Sequence, residues 1–248
     1  MDDAGGDPQG QKERTEEIMT NFINDSIFFG AAISLIAYEA GLLLKRKFKM
    51  AIFNPLLIAI IAVIGVLVLF DIDYETYNQG GKYISYLLTP ATVCLAVPLY
   101  QQMTLLKKNL KAVVIGIVSG VLASMVSIFL LAKLFRLSHE QYVTLLPKSI
   151  TTAIGMGVSE ELGGIVTITV AAIVITGVLG NMIAETVIKV ARIEEPIAKG
   201  LAIGTSAHAI GTAKAMELGE VEGAMSSLAI AVAGLLTVVA ASVFAQFM

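Results

Sequence analysis

Tryptophan is absent from the 248 residues, and the chain holds one cysteine, Cys94, and two histidines, His139 and His208. A single cysteine excludes a disulfide framework within the chain. Two histidines and one cysteine are too few for an ordinary His/Cys zinc centre, and we expect neither metal nor cofactor. Without tryptophan, any interfacial aromatic belt falls to 7 Tyr and 10 Phe. Charge is scarce as well: 15% of residues are charged, against about 25% in soluble domains. The net charge of −3 comes with no basic arm or stripe, which speaks against a nucleic-acid partner.

Apolar residues fill the space the others leave. They make up 56% of the chain, against about 45–50% in soluble domains. They fall in blocks near the ~20 residues that carry a helix across hydrocarbon. The blocks are Phe22 to Leu44, Ile52 to Phe70, Tyr83 to Leu106, Ala112 to Leu134, Tyr142 to Gly164, Ile165 to Val190, Ile197 to Gly219 and Ala224 to Met248. The expected fold is an all-α integral membrane protein, a polytopic helical bundle with interrupted or re-entrant helices in the lipid bilayer of the plasma membrane. A soluble enzyme is excluded, and we expect no enzymatic activity. Residues 1–20, polar and lacking the apolar core of a signal peptide, read as a disordered tail before a membrane domain over 21–248.

Orientation follows from basic residues in short loops, which stay cytoplasmic. The groups Lys45 to Lys49 and Lys107 to Lys111 lie two spans apart, so both belong inside, with the acidic loop Asp71 to Gly81 outside. Tyr142 to Gly164 is a poor spanning helix, being interrupted by Pro147, Lys148 and glycines. A re-entrant path for it also brings Lys189, Arg192 and Lys199 inside. The halves 52–134 and 165–248 then each read span, interrupted span, span, with opposite orientation. Interrupted helices at corresponding positions of inverted halves point to a transporter binding site.

Polar or irregular backbone at membrane depth belongs where it lines a cavity or is buried in protein. In Leu87 to Gln102, Pro90 and Pro98 remove backbone donors, and Thr89 and Thr92 stand ready for freed groups or a ligand. A merely kinked structural helix is the competing reading. In Pro147 to Gly164, Lys148 is followed by Ser149, Thr151 and Thr152. If Pro147 opens a helix, the free N–H groups beside the ammonium make an anion site; otherwise Lys148 snorkels to the interface. Adjacent residues on a helix point apart, which argues against a Ser–Lys hydrolase at Lys148 and Ser149. In Gly200 to Gly219, Thr205 and Thr212 follow Gly204 and Gly211, with His208 between them. His208 could bind a carboxylate or carry a coupling proton, or simply bond a neighbouring helix. Lys214 reads as interfacial, and Glu185 as a partner of nearby basic residues. The expected substrate-binding set is therefore Thr89, Thr92, Lys148, Ser149, Thr151, Thr152, Thr205, His208 and Thr212.

The strings LLTPATVCLAVPLY (Leu87 to Tyr100), PKSITT (Pro147 to Thr152) and GTSAHAIGTAKA (Gly204 to Ala215), with NPLL (Asn54 to Leu57), resemble the LrgB/CidB family. The likeness runs from Tyr38 to the C-terminus. Gly155 departs from it, since the family often has another residue there. The family carries antiholin-like or murein-hydrolase-export names and is usually partnered by a small LrgA/CidA-type membrane protein. The plastid glycolate/glycerate translocator resembles such a pair fused, and related bacterial pairs are linked to pyruvate uptake. The resemblance implies movement of a small carboxylate substrate, or regulation of autolysis, by what we expect to be a homodimer.

Overall fold

A computed structural model describes residues 28–48, 50, 53–94 and 96–248; the side chains of Thr89 and Thr92 and the whole expected tail 1–20 lie outside the described residues. Every regular element among the described residues is helical, as the sequence predicts. The chain divides into two compact units, Met1–Ala91 and Thr92–Met248.

In the first unit, α1 (Phe29–Phe48) packs against α2 (Pro55–Leu69) and α3 (Tyr74–Tyr86). The string NPLL has a local cause. Asn54 Oδ1 accepts from the backbone N–H groups of Leu56 and Leu57 at 2.9 and 3.2 Å. Pro55 at the first helical position has no N–H to leave unpaired, so α2 starts sharply. Gly30 and Gly41 let α1 approach the backbone at Tyr77 and Pro55, where a Cβ would collide. Ser34 Oγ and Tyr77 Oη, 2.9 Å apart, tie α1 to α3.

The sequence predicts a proline-broken element over Tyr83 to Leu106, and the chain there forms α4 (Leu88–Cys94), α5 (Ala96–Gln101) and α6 (Met103–Lys108). Pro90 and Pro98 each sit third in their helix, in the first turn, where no intrahelical N–H is needed.

The second unit rests on three helices long and apolar enough to cross a membrane: α7 (Leu110–Phe135), α10 (Val166–Val190), and α12 (Glu220–Phe244) with its 3₁₀ extension Ala245–Phe247. At ~1.5 Å per residue each exceeds the ~30 Å hydrocarbon core. Helix α7 buries Val113, Ile117, Val121, Met125, Ile128 and Ala132, one stripe at helical spacing. Its opposite face is equally apolar, with Ile115, Leu122, Leu130 and Leu134 exposed. A helix apolar all round has lipid as its outer solvent, and the chain is a membrane protein.

Between α7 and α10 lie α8 (His139–Leu145) and α9 (Thr152–Glu161). The chain enters at one end of the bundle, where Tyr142 Oη donates to the Phe244 carbonyl at 2.9 Å. It reaches the level of Gly234, where Ile154 packs, and then returns. On its return the N–H of Ile165 donates to Thr144 Oγ1 at 2.8 Å, and Thr169 Oγ1 donates to the Thr144 carbonyl at 2.9 Å. Residues 139–164 thus form a re-entrant hairpin, as the sequence predicts.

Helix α11 (Pro196–Leu218) departs from expectation. Sequence suggests an interrupted span; the structure has a second hairpin. His208 adopts φ 42°, ψ −141° inside α11 and folds it into two limbs. The first limb runs alongside α12, with Gly200 against Glu222 and Gly204 against Ser226. The second returns to the same end, where Thr212 Oγ1 lies 2.7 Å from Ser226 Oγ and Met216 packs at Gly223. The absence of Cβ at Gly200 and Gly204 is what permits this: an added carbon would stand 2.5 Å from a carbonyl oxygen of α12 at each. Small residues at helix contacts take the place of a hydrophobic driving force in lipid.

The two hairpins enter from opposite ends. The hairpin 139–164 starts at the end of α7 marked by Arg136. Hairpin 196–218 starts at the end marked by Asn109, which lines one cavity with Glu195 and Ile197. Each is followed by a spanning helix running back to the opposite end. Both hairpins and the spans that follow them, residues 139–190 and 196–244, lie wholly in the second unit.

Candidate functional site

Turn residues 146–149 place Lys148 and Ser149 at the tip of the first hairpin. Pro147 cannot continue the α8 ladder, so the helix stops there. This corrects the expectation that Pro147 opens the next helix: α9 begins at Thr152, with Thr151 as its N-cap. The N–H groups of Lys148 and Ile150 are already donated to the carbonyls of Leu145 and Pro147 at 3.1 and 3.3 Å. The first N–H groups of α9, from Thr152 on, have no partner within that helix. The turn also overrides the rule that adjacent side chains diverge. Lys148 Nζ donates to Ser149 Oγ at 3.0 Å.

Ser149 is buried and receives a second hydrogen bond, from Ser124 Oγ of α7, at 3.2 Å. These groups open into a cavity of about 780 Å³, far more than the roughly 30 Å³ of one water. Its polar wall consists of Ser124 and Ser127 from α7, Lys148 and Ser149 from the first hairpin, Thr176 from α10, and Thr205 and Ser206 from the second hairpin. Lys148 is the one ionisable side chain among the described residues of that wall. The cavity extends to Ile188 and Ile193, which it shares with a mouth bearing Lys189, Arg192, Glu185, Glu194 and Lys199.

The other expected residues take different places. His208 forms the tip of the second hairpin, buried, with Nε2 donating to the Ile173 carbonyl of α10 at 3.0 Å. Gly177 makes room for the ring, since a Cβ there would lie 2.7 Å from His208 Cε1. Thr212 is buried against Ser226 and donates to the His208 carbonyl at 3.0 Å. Asn181 Nδ2 donates to the Ile210 carbonyl at 2.8 Å, so the kink leaves that carbonyl satisfied at depth. Thr151 and Thr152 begin α9, outside the cavity wall, whereas Thr205 lines it. Thr89 and Thr92 have their backbones in α4, and their side chains lie outside the described residues. Glu185 pairs with Lys189 at 3.7 Å and with Lys214 at 2.5 Å, and Lys199 stands 3.9 Å from Glu222, binding the hairpin base to its neighbours.

Sequence reasoning missed Ser124, Ser127 and Thr176, because isolated hydroxyls in clean apolar spans bond their own helix by default. The serine triplet Ser119, Ser124 and Ser127 in α7 was the one available signal.

No solved structure matches the chain. Relatives exist in sequence. The antiholin-like protein LrgB of Bacillus cereus (strain B4264) is 41% identical over 221 residues, covering 89% of this chain and 96% of that protein. The antiholin-like protein LrgB of Bacillus anthracis (strain CDC 684 / NRRL 3495) is similar to the same extent, 41% over 221 residues. The LrgB-like family model matches residues 34–247, which include both hairpins and the cavity between their tips, and the chain belongs to the LrgB-like family.

Proposed function

We propose that this protein is a secondary transporter of small monocarboxylates such as pyruvate, glycolate or glycerate, crossing the cell membrane several times. One observation carries the reading: Lys148 is the one ionisable side chain, among hydroxyls, in the described wall of a cavity that both hairpins line. A charged residue inside a membrane segment is costly unless it serves a ligand or ion pathway. A single cation with surrounding donors suits one carboxylate and replaces its hydration. Transport is cation-coupled or proceeds by exchange, and no enzymatic step is involved. We take the functional form to be a homodimer that works with a small LrgA/CidA-type membrane protein.

The test is uptake of radiolabelled pyruvate, glycolate and lactate into liposomes holding the purified protein, with and without a pH gradient. No uptake of any of them above empty liposomes, in either condition, sinks the proposal.

A second reading is favoured by the name that the Bacillus relatives carry, antiholin-like: a regulator of murein hydrolase activity and autolysis acting with the small partner. The two readings meet if altered acid flux changes autolysis indirectly. A strain expressing Lys148→Gln separates them. Autolysis that is restored by the transport-dead variant belongs to the regulator reading alone.

A further inference from the structure

Helix α7 carries three serines, and two of them behave as serines in apolar helices do. Ser119 Oγ donates to its own helix at the Gly116 carbonyl, 2.9 Å away, and Ser127 Oγ to the Ser124 carbonyl, 2.8 Å away. Ser124 is different. Its hydroxyl reaches across to another element and donates to Ser149 Oγ at 3.2 Å. The same oxygen accepts from Lys148 Nζ at 3.0 Å.

A hydroxyl has two acceptor lone pairs and one donor proton. With both lone pairs of Ser149 engaged, its remaining capacity is to donate. Its proton is directed to the side that the two donors leave free, and Ser149 lines the cavity. Lys148 spends one of its three N–H groups on Ser149 and keeps two. An anion's oxygen entering the cavity therefore meets a fixed O–H beside an ammonium.

We infer that Ser124 is a positioning residue for the anion site, holding Ser149 as an obligate hydrogen-bond donor beside Lys148. The inference rests on the carboxylate-transport reading for its ligand. Ser124 itself acts through Ser149, by occupying the lone pair that would otherwise let Ser149 rotate and accept.

The experiment compares wild type with Ser124→Ala, Ser149→Ala, the double variant and Ser124→Thr. In liposome uptake of radiolabelled pyruvate, Ser124→Ala raises KM about tenfold with little change in maximal rate, the scale of one hydrogen bond to a ligand-binding group. Ser124→Thr, which keeps the hydroxyl, stays near wild type. In a Ser149→Ala background, Ser124→Ala adds nothing, because the residue through which it acts is already silent. A further rise in KM in the double variant overturns the inference, as does a fall in maximal rate with KM unchanged.

A second readout needs no substrate: the rate at which Lys148 is labelled by trinitrobenzenesulfonate. Ser149→Ala changes that rate by removing the ammonium's partner, and Ser124→Ala changes it in the same direction by leaving that partner free to rotate. If wild type takes up no pyruvate, the transport reading falls and this labelling decides the positioning role. Equal rates in wild type and both single variants overturn it.

Discussion

His208 Nε2 donates to the Ile173 carbonyl at 3.0 Å, so the tip of the second hairpin is pinned to the middle of α10. A carbonyl only accepts, which fixes the proton on Nε2 and leaves Nδ1 as the imidazole's basic position. His208 also holds a left-handed φ of 42° without being glycine, a conformation that costs of order 1–3 kcal/mol. Packing in the Gly177 socket and the bond to α10 keep it there.

That geometry frames the coupling question. Drawing an anion into a cell against an inside-negative potential costs about 2.3 kcal/mol per charge per 100 mV. Net accumulation therefore needs a co-transported cation. We expect His208 to accept a coupling proton. His208→Gln retains an N–H for the Ile173 carbonyl but cannot titrate. A pH gradient, acidic on the substrate side, should drive uptake by wild type and fail in the variant, while counter-exchange of preloaded substrate survives. If the variant still concentrates substrate under the gradient, His208 serves only as the hairpin's pin.

Lys148 should be decisive for the anion. Lys148→Gln is expected to abolish monocarboxylate uptake while membrane insertion and yield stay at wild-type levels. Lys148→Arg should recover only part, because a planar fork does not reproduce a point charge on Ser149. Wild-type affinity in Lys148→Gln would remove the lysine from the site.

Packing of the second hairpin makes a separate prediction. A Cβ at Gly204 would stand 2.5 Å from the Ser226 carbonyl and 2.8 Å from Ala229 Cβ, whereas one at Gly65 in α2 meets nothing within 4 Å. Gly204→Val should destabilise by roughly 1–3 kcal/mol, the usual scale of overpacking. Gly65→Ala should be neutral or slightly stabilising, since alanine is the better helix former. Thermal unfolding of detergent-solubilised protein, followed by loss of monodispersity, checks both; equal midpoints for the two variants would contradict the packing.

Topology can be read with single cysteines on a Cys94→Ala background. The ends of α7 and α10 that bear Asn109 and Ile193 lie together, and basic residues surround both. By the positive-inside rule we expect them to face the cytoplasm. Ile193→Cys should resist an impermeant maleimide added to intact cells, while Glu140→Cys at the opposite end and Asp73→Cys should label. Labelling of Ile193→Cys from outside would reverse the assignment.

Much of this protein could be read from its residues alone. The all-α membrane class follows from blocks of apolar residues with few charges, since only internally hydrogen-bonded elements survive in hydrocarbon. The re-entrant path of Tyr142 to Gly164 was legible because Pro147, Lys148 and the glycines act locally, whereas the α2 start at the Asn54 cap falls inside a block read as Ile52 to Phe70. Lys148 could be singled out as well, a lone cation in a low-charge segment, which the structure places in a cavity wall.

The course of α11 was not legible. Its 23 residues can form one crossing helix or two limbs, and nothing local to Ala207-His208-Ala209 selects between them. The decision is made by partners distant in sequence: the Ile173 carbonyl and Gly177 on α10 receive the ring, and Ser226 on α12 receives Thr212. Ser124 was hidden for the same reason. A hydroxyl in an apolar span bonds its own helix unless another element brings it a better acceptor, and here that acceptor is Ser149, 25 residues away. Composition and periodicity determined that the chain enters the membrane and which segments break there. Only the tertiary structure decided which broken segments face each other, because that depends on close approach between backbones remote in sequence.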